Sequence, residues 1–220
     1  MKCPIFQILL ALATLAPVAL AEPEPLSPAK AKALRTRFET RQRETTSWTA
    51  AFTQTLTMPG LRASVVSEGA FTFRAPDALR IEFTKPAGEL VLILGDRFFL
   101  RKPGKRLVEK SLSADNAGKP FQALLSLFQG RPPENETQFD PRVTNEDGSY
   151  VITLTKKPEA TGKLPKRITN IISEATLDVR EVFVELPAGG SLRYAFQSPA
   201  RNRPVEAALF AVPAEENAKN

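Results

Sequence analysis

The 220-residue chain carries 30 Lys and Arg against 24 Asp and Glu, for a net charge of +6, and contains no histidine and a single cysteine, Cys3. Ser-His and Cys-His nucleophile pairs and the usual zinc sites are thereby excluded. Only carboxylates, Lys, Ser, Thr and Tyr remain for catalysis.

The first element, "MKCPIFQILLALATLAPVALA", has a charged start at Lys2, an apolar run from Ile5 to Leu15 and a small-residue end at Ala19-Leu20-Ala21. This is the pattern of a secretory leader cleaved after Ala21, since the run is shorter than the roughly 20 residues of a membrane span and Pro17 interrupts it. Cys3 precedes the run, whereas a lipid-modified cysteine would stand at its end. The mature chain is therefore expected to be exported, soluble and free of disulfides, and to rely on an apolar core. An exported chain is not expected to meet nucleic acid. Residues 22–212 read as a single domain, and residues 213–220 as a mobile polar tail.

Ser27-Pro28 opens a helix with an N-cap hydroxyl and a proline at the first helical position, and Leu34 and Phe38 then share one face as far as about Thr45. Trp48, Ala50 and Phe52 alternate as a first strand, and Met58-Pro59-Gly60 supplies a turn. In "FTFRAPDALRIEFTKP", residues 71–86, Phe71 and Phe73 and then Leu79, Ile81 and Phe83 alternate with polar residues. This is a hairpin with one greasy face, and Pro76 in Ala75-Pro76-Asp77-Ala78 suits a type I turn. Residues 90–94 are apolar on both faces, Gly95-Asp96 ends them, and Lys102-Pro103-Gly104-Lys105 is a second turn.

The period changes at "KPFQALLSLFQG", where Phe121, Leu124, Leu125 and Phe128 fall on one helical stripe, with Pro120 in the first turn and Gly130 as a left-handed cap. Residues 131–140 read as loop. Strands follow at Tyr150, Ile152 and Leu154, at residues 168–177, at Val182, Val184 and Leu186, and, beyond Gly189-Gly190, at Leu192, Tyr194 and Phe196. A last strand takes in residues 209–212. About nine to eleven antiparallel strands with one helix before them and one inserted predict a mostly β fold, a strongly curved sheet or barrel with helices at one face.

The segments "FETRQRETTSWTAAFTQTLT", "SEGAFTFRAPDALRIEFTKP", "ELVLILGDRFFL", "KPFQALLSLF" and "GGSLRYAFQSPARNRPVEAALFAVP", in that order, resemble the periplasmic carriers of outer-membrane lipoproteins, the LolA family. The resemblance is most specific at residues 48–54, at the hairpin 69–86, and at Asn202 followed by Phe210. It implies an incomplete antiparallel β-barrel of about eleven strands with an α-helical lid. Trp48, Phe52, Phe71, Phe73, Leu79, Ile81, Phe83, Leu92, Tyr194 and Phe196 would line an acyl cavity under a lid of Leu34, Phe38, Phe121, Leu124, Leu125 and Phe128. It also implies an inner-membrane ATP-driven extractor and an outer-membrane acceptor as partners, lipoproteins as cargo, a monomer, and neither enzymatic activity, cofactor nor metal. The family's lid is held by an arginine directly before the hairpin proline. Ala75 stands there instead, leaving Arg74 and Arg80 as the gating candidates.

Other readings stay open. The alternating faces also suit an ordinary filled core, a carrier of another lipid or glycolipid, or a sensor module that binds lipidated protein. Arg97, Arg101, Lys102, Lys105, Arg106 and Lys110, with only Glu109 among them, read as a solvated hairpin, with an acidic docking surface or anionic headgroups as the alternative. Ser27-x-x-Lys30 matches a penicillin-recognising motif without its companions, and helix capping accounts for it. The carboxylates Glu134, Glu136 and Asp140, and the Asn145-Glu146-Asp147-Gly148 turn, lack the spacing of a hydrolase pair or a calcium loop.

Overall fold

The computed structural model describes residues 23–113, 119–131, 136–162 and 164–213; the expected leader, Glu134 and the tail from residue 214 on lie outside them. Helix α1 (Pro28–Arg43) begins as its sequence requires. Ser27 Oγ accepts the Lys30 N–H at 3.4 Å, Pro28 stands at the first position, and Arg41 and Arg43 face the negative end of the helix dipole. Leu34, Phe38 and Gln42 form its buried stripe.

Six strands follow: β1 (Ser47–Thr57), β2 (Val65–Arg74), β3 (Ala78–Lys85), β4 (Ala87–Leu94), β5 (Arg97–Arg101) and β6 (Val108–Ser111). Helix α2 (Lys119–Gln129) separates them from five more: β7 (Phe139–Glu146), β8 (Ser149–Lys156), β9 (Arg167–Ser173), β10 (Val179–Glu185) and β11 (Ser191–Arg201). All pair antiparallel, in the order β6-β5-β4-β3-β2-β1-β11-β10-β9-β8-β7. Two meanders are thus joined in one 11-stranded sheet by the pairing of β1 with β11, and the edge strands β6 and β7 leave it unclosed.

Strand alternation sorts the side chains onto two faces. Trp48, Phe71, Phe73, Leu79, Ile81, Val91, Ile93 and Phe98 turn toward the helices, each with 1% exposure or less. Their sequence neighbours point the other way, which corrects one expectation. Leu92 lies between Val91 and Ile93 on β4, so it packs on the outer face with Ala78, Phe99 and Phe210.

Three further expectations are corrected, and the expected turn at Ala75–Ala78 contains a cis Ala75-Pro76 peptide. Residues 168–177 are not one strand: β9 stops at Ser173, and Leu177, at φ +57, lies in the turn before β10. No Gly or Pro marks that turn. Residues 209–212 form no strand, since Ala207–Phe210 is a 3₁₀ turn that lays Phe210 over Leu92 and Phe99. Finally, β7 takes in Phe139 and Asp140, the last two residues of the expected loop, and runs on through Pro141, which an edge strand tolerates.

Gly69 of β2 sits opposite Phe52 and Phe83, whose rings meet edge to face at 5.2 Å. A Cβ there would lie 2.2 Å from the Glu82 carbonyl oxygen and 2.7 Å from the Phe52 ring. Gly69→Ala is expected to lower unfolding free energy by about 3 kcal/mol, read by urea denaturation; a loss within about 0.5 kcal/mol would show that the ring and strand shift freely.

Candidate functional site

The helix-facing side of the sheet converges on aromatic rings. Trp48 of β1 lies 5.4 Å from Phe71 of β2 and 5.2 Å from Phe196 of β11, both edge to face, and Phe71 and Phe196 are 5.4 Å apart. Such tilted contacts suit the ring quadrupoles and build a rigid wall with few polar atoms. Toward the other end of the strands, Phe52 touches Tyr194 at 5.7 Å. Burial pushes the Tyr194 phenol upward, and the charge of Glu89 adds to it, so this ring stays neutral.

Helix α2 closes over this wall. Phe128 is fully buried, with its ring 4.7 Å from both Trp48 and Phe71 and 5.9 Å from Phe73. Phe121, one stripe position before Leu124, meets Phe98 at 5.4 Å. The C-terminus of α2 is anchored on both sides. Gly130, at φ +63, allows the Arg131 N–H to reach the Ser126 carbonyl at 3.0 Å and its own N–H the Leu127 carbonyl at 3.3 Å. A Cβ on Gly130 would stand 2.8 Å from Gln42 Cβ, so the missing side chain also lets α2 abut α1.

The latch is neutral. Gln129 Nε2 donates to the Pro76 carbonyl at 2.9 Å, tying the lid to the β2–β3 turn. The two gating candidates, Arg74 and Arg80, point away from the lid. Each lies on the outer face of its strand: Arg74 stacks 4.3 Å over Phe210, and Arg80 binds Glu82 at 2.8 Å and the Leu209 carbonyl at 2.9 Å. Strand alternation alone dictates this, because Phe73 and Leu79 beside them face the lid.

Beside the wall a buried ionic network fixes Trp48. Its Nε1 donates to Asp178 Oδ1 at 3.2 Å, and Arg201 grips the same oxygen at 2.6 Å. Arg201 also donates to Gln42 Oε1, Thr45 Oγ1 and the Leu177 carbonyl, which joins α1, β1, β11 and the β9–β10 turn at one guanidinium. Desolvation lowers the Arg201 pKa and the Asp178 partner opposes it, so the charge persists at any physiological pH.

The proposed cavity residues other than Leu92 thus share one cluster with all six lid residues. Sequence reasoning missed the rest of the trough: half-buried Leu56, Ile152, Val184 and Leu192 continue the same face, and the register Leu56 to Leu192 to Val184 aligns three of them. The period that singled out Tyr194 marks them too. Among the described residues, no three of His, Cys, Asp or Glu gather as a metal cage, and no helix is long and apolar enough to cross a membrane.

An apolar trough in an unclosed sheet, plugged by one amphipathic helix, is an arrangement for sheltering hydrocarbon. The model of the family described as "Outer membrane lipoprotein carrier protein LolA" matches residues 43–213. The chain belongs to the LolA family. A comparison with curated protein sequences finds no match. Among solved structures, this LolA-family chain is similar to MucB (TM-score 0.56, 14% identity, 86% of this chain and 65% of that one). It is equally similar to an uncharacterized conserved protein from Thermus thermophilus (TM-score 0.55, 14% identity, 86% and 97%). It also resembles the Pseudomonas aeruginosa MucA/MucB complex (TM-score 0.51, 15% identity, 83% and 61%). At these identities the likeness is one of fold, and the chain spans under two thirds of MucB.

Proposed function

We propose that this protein is a periplasmic carrier that takes lipoprotein acyl chains into the trough under α2 and moves lipoproteins from the inner to the outer membrane. An ATP-driven extractor in the inner membrane would be the donor, and an outer-membrane protein the acceptor. The observation that carries the reading is Phe128, a lid side chain that fills the space where an acyl chain would lie. Each methylene left in water costs about 0.8 kcal/mol, so one long chain asks for roughly 10 kcal/mol of shelter. A trough that binds its own lid when empty returns part of that energy and lets the cargo leave without a nucleotide. No catalytic step is needed.

Carriage of another lipid or glycolipid is the second reading, and the neutral Gln129 latch in place of the family's arginine favours it. Mass spectrometry of molecules co-purifying with the protein from its native envelope separates the two. Triacylated lipoproteins support the first reading and a different lipid the second, while an empty protein counts against both.

Trp48 is the sole tryptophan and forms the centre of the wall, so it reports on occupancy. Brominated fatty acids are expected to quench its emission strongly, because bromine acts only at contact range. Quenching no greater than that of free tryptophan would place the acyl site elsewhere.

A further inference from the structure

In an antiparallel meander, successive turns alternate between the two ends of the sheet. The register places the β1–β2 turn (residues 58–64), the β3–β4 turn at Pro86, the β5–β6 turn (102–107), the β8–β9 turn (157–166) and the β10–β11 turn (186–190) at one end. Close approaches hold neighbours together there: a Cβ on Gly88 would lie 3.6 Å from Pro103, and one on Gly189 3.1 Å from Pro59. The β2–β3, β4–β5, β7–β8 and β9–β10 turns occupy the other end, beside the tip of the lid.

The two ends differ in sign. The described residues of the first set of turns hold Arg62, Lys102, Lys105, Arg106, Lys157 and Lys166 against Glu159 alone. The second set holds Asp77, Asp96, Asp147, Glu174 and Asp178 and no cation. Arg62, Lys102, Lys105 and Arg106 are exposed and make no ion pair among the described residues. The same turns and the strand ends beside them carry exposed aliphatic side chains: Met58 is 36% exposed, Leu61 48%, and Val65 and Val108 46% each. Both motifs, Met58-Pro59-Gly60-Leu61 and Lys102-Pro103-Gly104-Lys105, are tight turns that project these groups.

We propose that this cationic end, tipped by Met58 and Leu61, docks the protein on the surface of a bilayer containing anionic phospholipid. Lys and Arg are drawn to the negative surface, and short aliphatic side chains enter the headgroup layer, a pairing typical of peripheral membrane attachment. An acidic protein surface would account for the cations and leave the protruding aliphatics unused, so the bilayer is the better fit. The acidic end and the lid would then point away from the membrane. The inference is independent of which lipid or lipoprotein is the cargo.

The test uses the chain from Glu22 onward, which contains the whole described fold and lacks the apolar run at residues 5–15. It is sedimented with vesicles of phosphatidylcholine alone and of an equal mixture with phosphatidylglycerol. Binding is expected only to the mixed vesicles and should weaken as salt rises. Lys102→Glu/Lys105→Glu/Arg106→Glu and, separately, Met58→Ser/Leu61→Ser should each reduce it at least about tenfold; circular dichroism of these exposed-site variants monitors the fold. Failure of the parent chain to bind mixed vesicles, or unchanged binding by either folded variant, would overturn the proposal. So would equal retention of the parent and the Met58→Ser/Leu61→Ser chain on immobilised polyglutamate combined with no vesicle binding, which would assign the surface to an acidic protein.

Discussion

A Phe128→Ala chain should take up a fluorescent fatty acid about ten to a hundred times more tightly than the parent. Truncating a buried Phe removes about 3–5 kcal/mol of packing, and here the packing partners are Trp48, Phe71 and Phe73, which an acyl chain would otherwise have to win from the lid. Each 1.4 kcal/mol no longer spent on lid displacement is a factor of ten in affinity. The range corresponds to about 1.4–2.8 kcal/mol, less than the full packing loss, because a loosened α2 settles elsewhere on the trough and keeps part of its contacts. Because Leu124 and Leu125 still anchor the helix, the sheet should keep its denaturation midpoint far better than the lid keeps its docking. Equal or weaker uptake would mean that Phe128 is either plain core or a contact for cargo, and the competing-lid mechanism would fall.

The second large effect is on stability. Arg201→Ala should lower the unfolding free energy by about 3–5 kcal/mol, because it strands Asp178 in a pocket where the side chains are only 7% and 14% exposed. Gln42 Oε1, Thr45 Oγ1 and the Leu177 carbonyl lose the same donor. Arg201→Lys should recover part of the loss, since a single ammonium keeps the charge without the planar fork. Urea denaturation followed by Trp48 emission measures both, as Trp48 itself donates to Asp178. A loss under about 1 kcal/mol for the alanine variant would show that water fills the vacated site and satisfies the carboxylate.

The strands with a greasy face were legible wherever a Gly or Pro turn bounded them, as in β2, β3 and β11, and the α2 stripe stood out against them by its period. What escaped had specific causes. The β9–β10 turn hides in "SEATLD", where Leu177 adopts a left-handed backbone without glycine. Edge strand β7 carries a proline that a central strand would refuse. Leu92 was drawn into the trough because residues 90–94 are apolar on both sides, and no alternation marks which side faces the lid. The Arg201 network joins α1 to a strand more than a hundred positions away, and a lone arginine near the end of a strand carries no sequence signal of that. The neutral latch was invisible for the same reason: Gln129 and Pro76 meet only through the docking of α2.

The pairing of β1 with β11 has a consequence for how the molecule comes into being. Trp48 faces Arg201 and Thr57 faces Ser191, so the central seam joins the first strand to the last. Contacts this distant along the chain close late, because the loop entropy must be lost before any contact rewards it. Until β11 arrives, β1 and β10 are two further bare edges beside β6 and β7, and the Trp48 wall lacks Phe196. A chain emerging N-terminus first therefore passes through a stage with four open strand edges and an exposed aromatic surface, the interval in which it is most prone to aggregate and most in need of a chaperone.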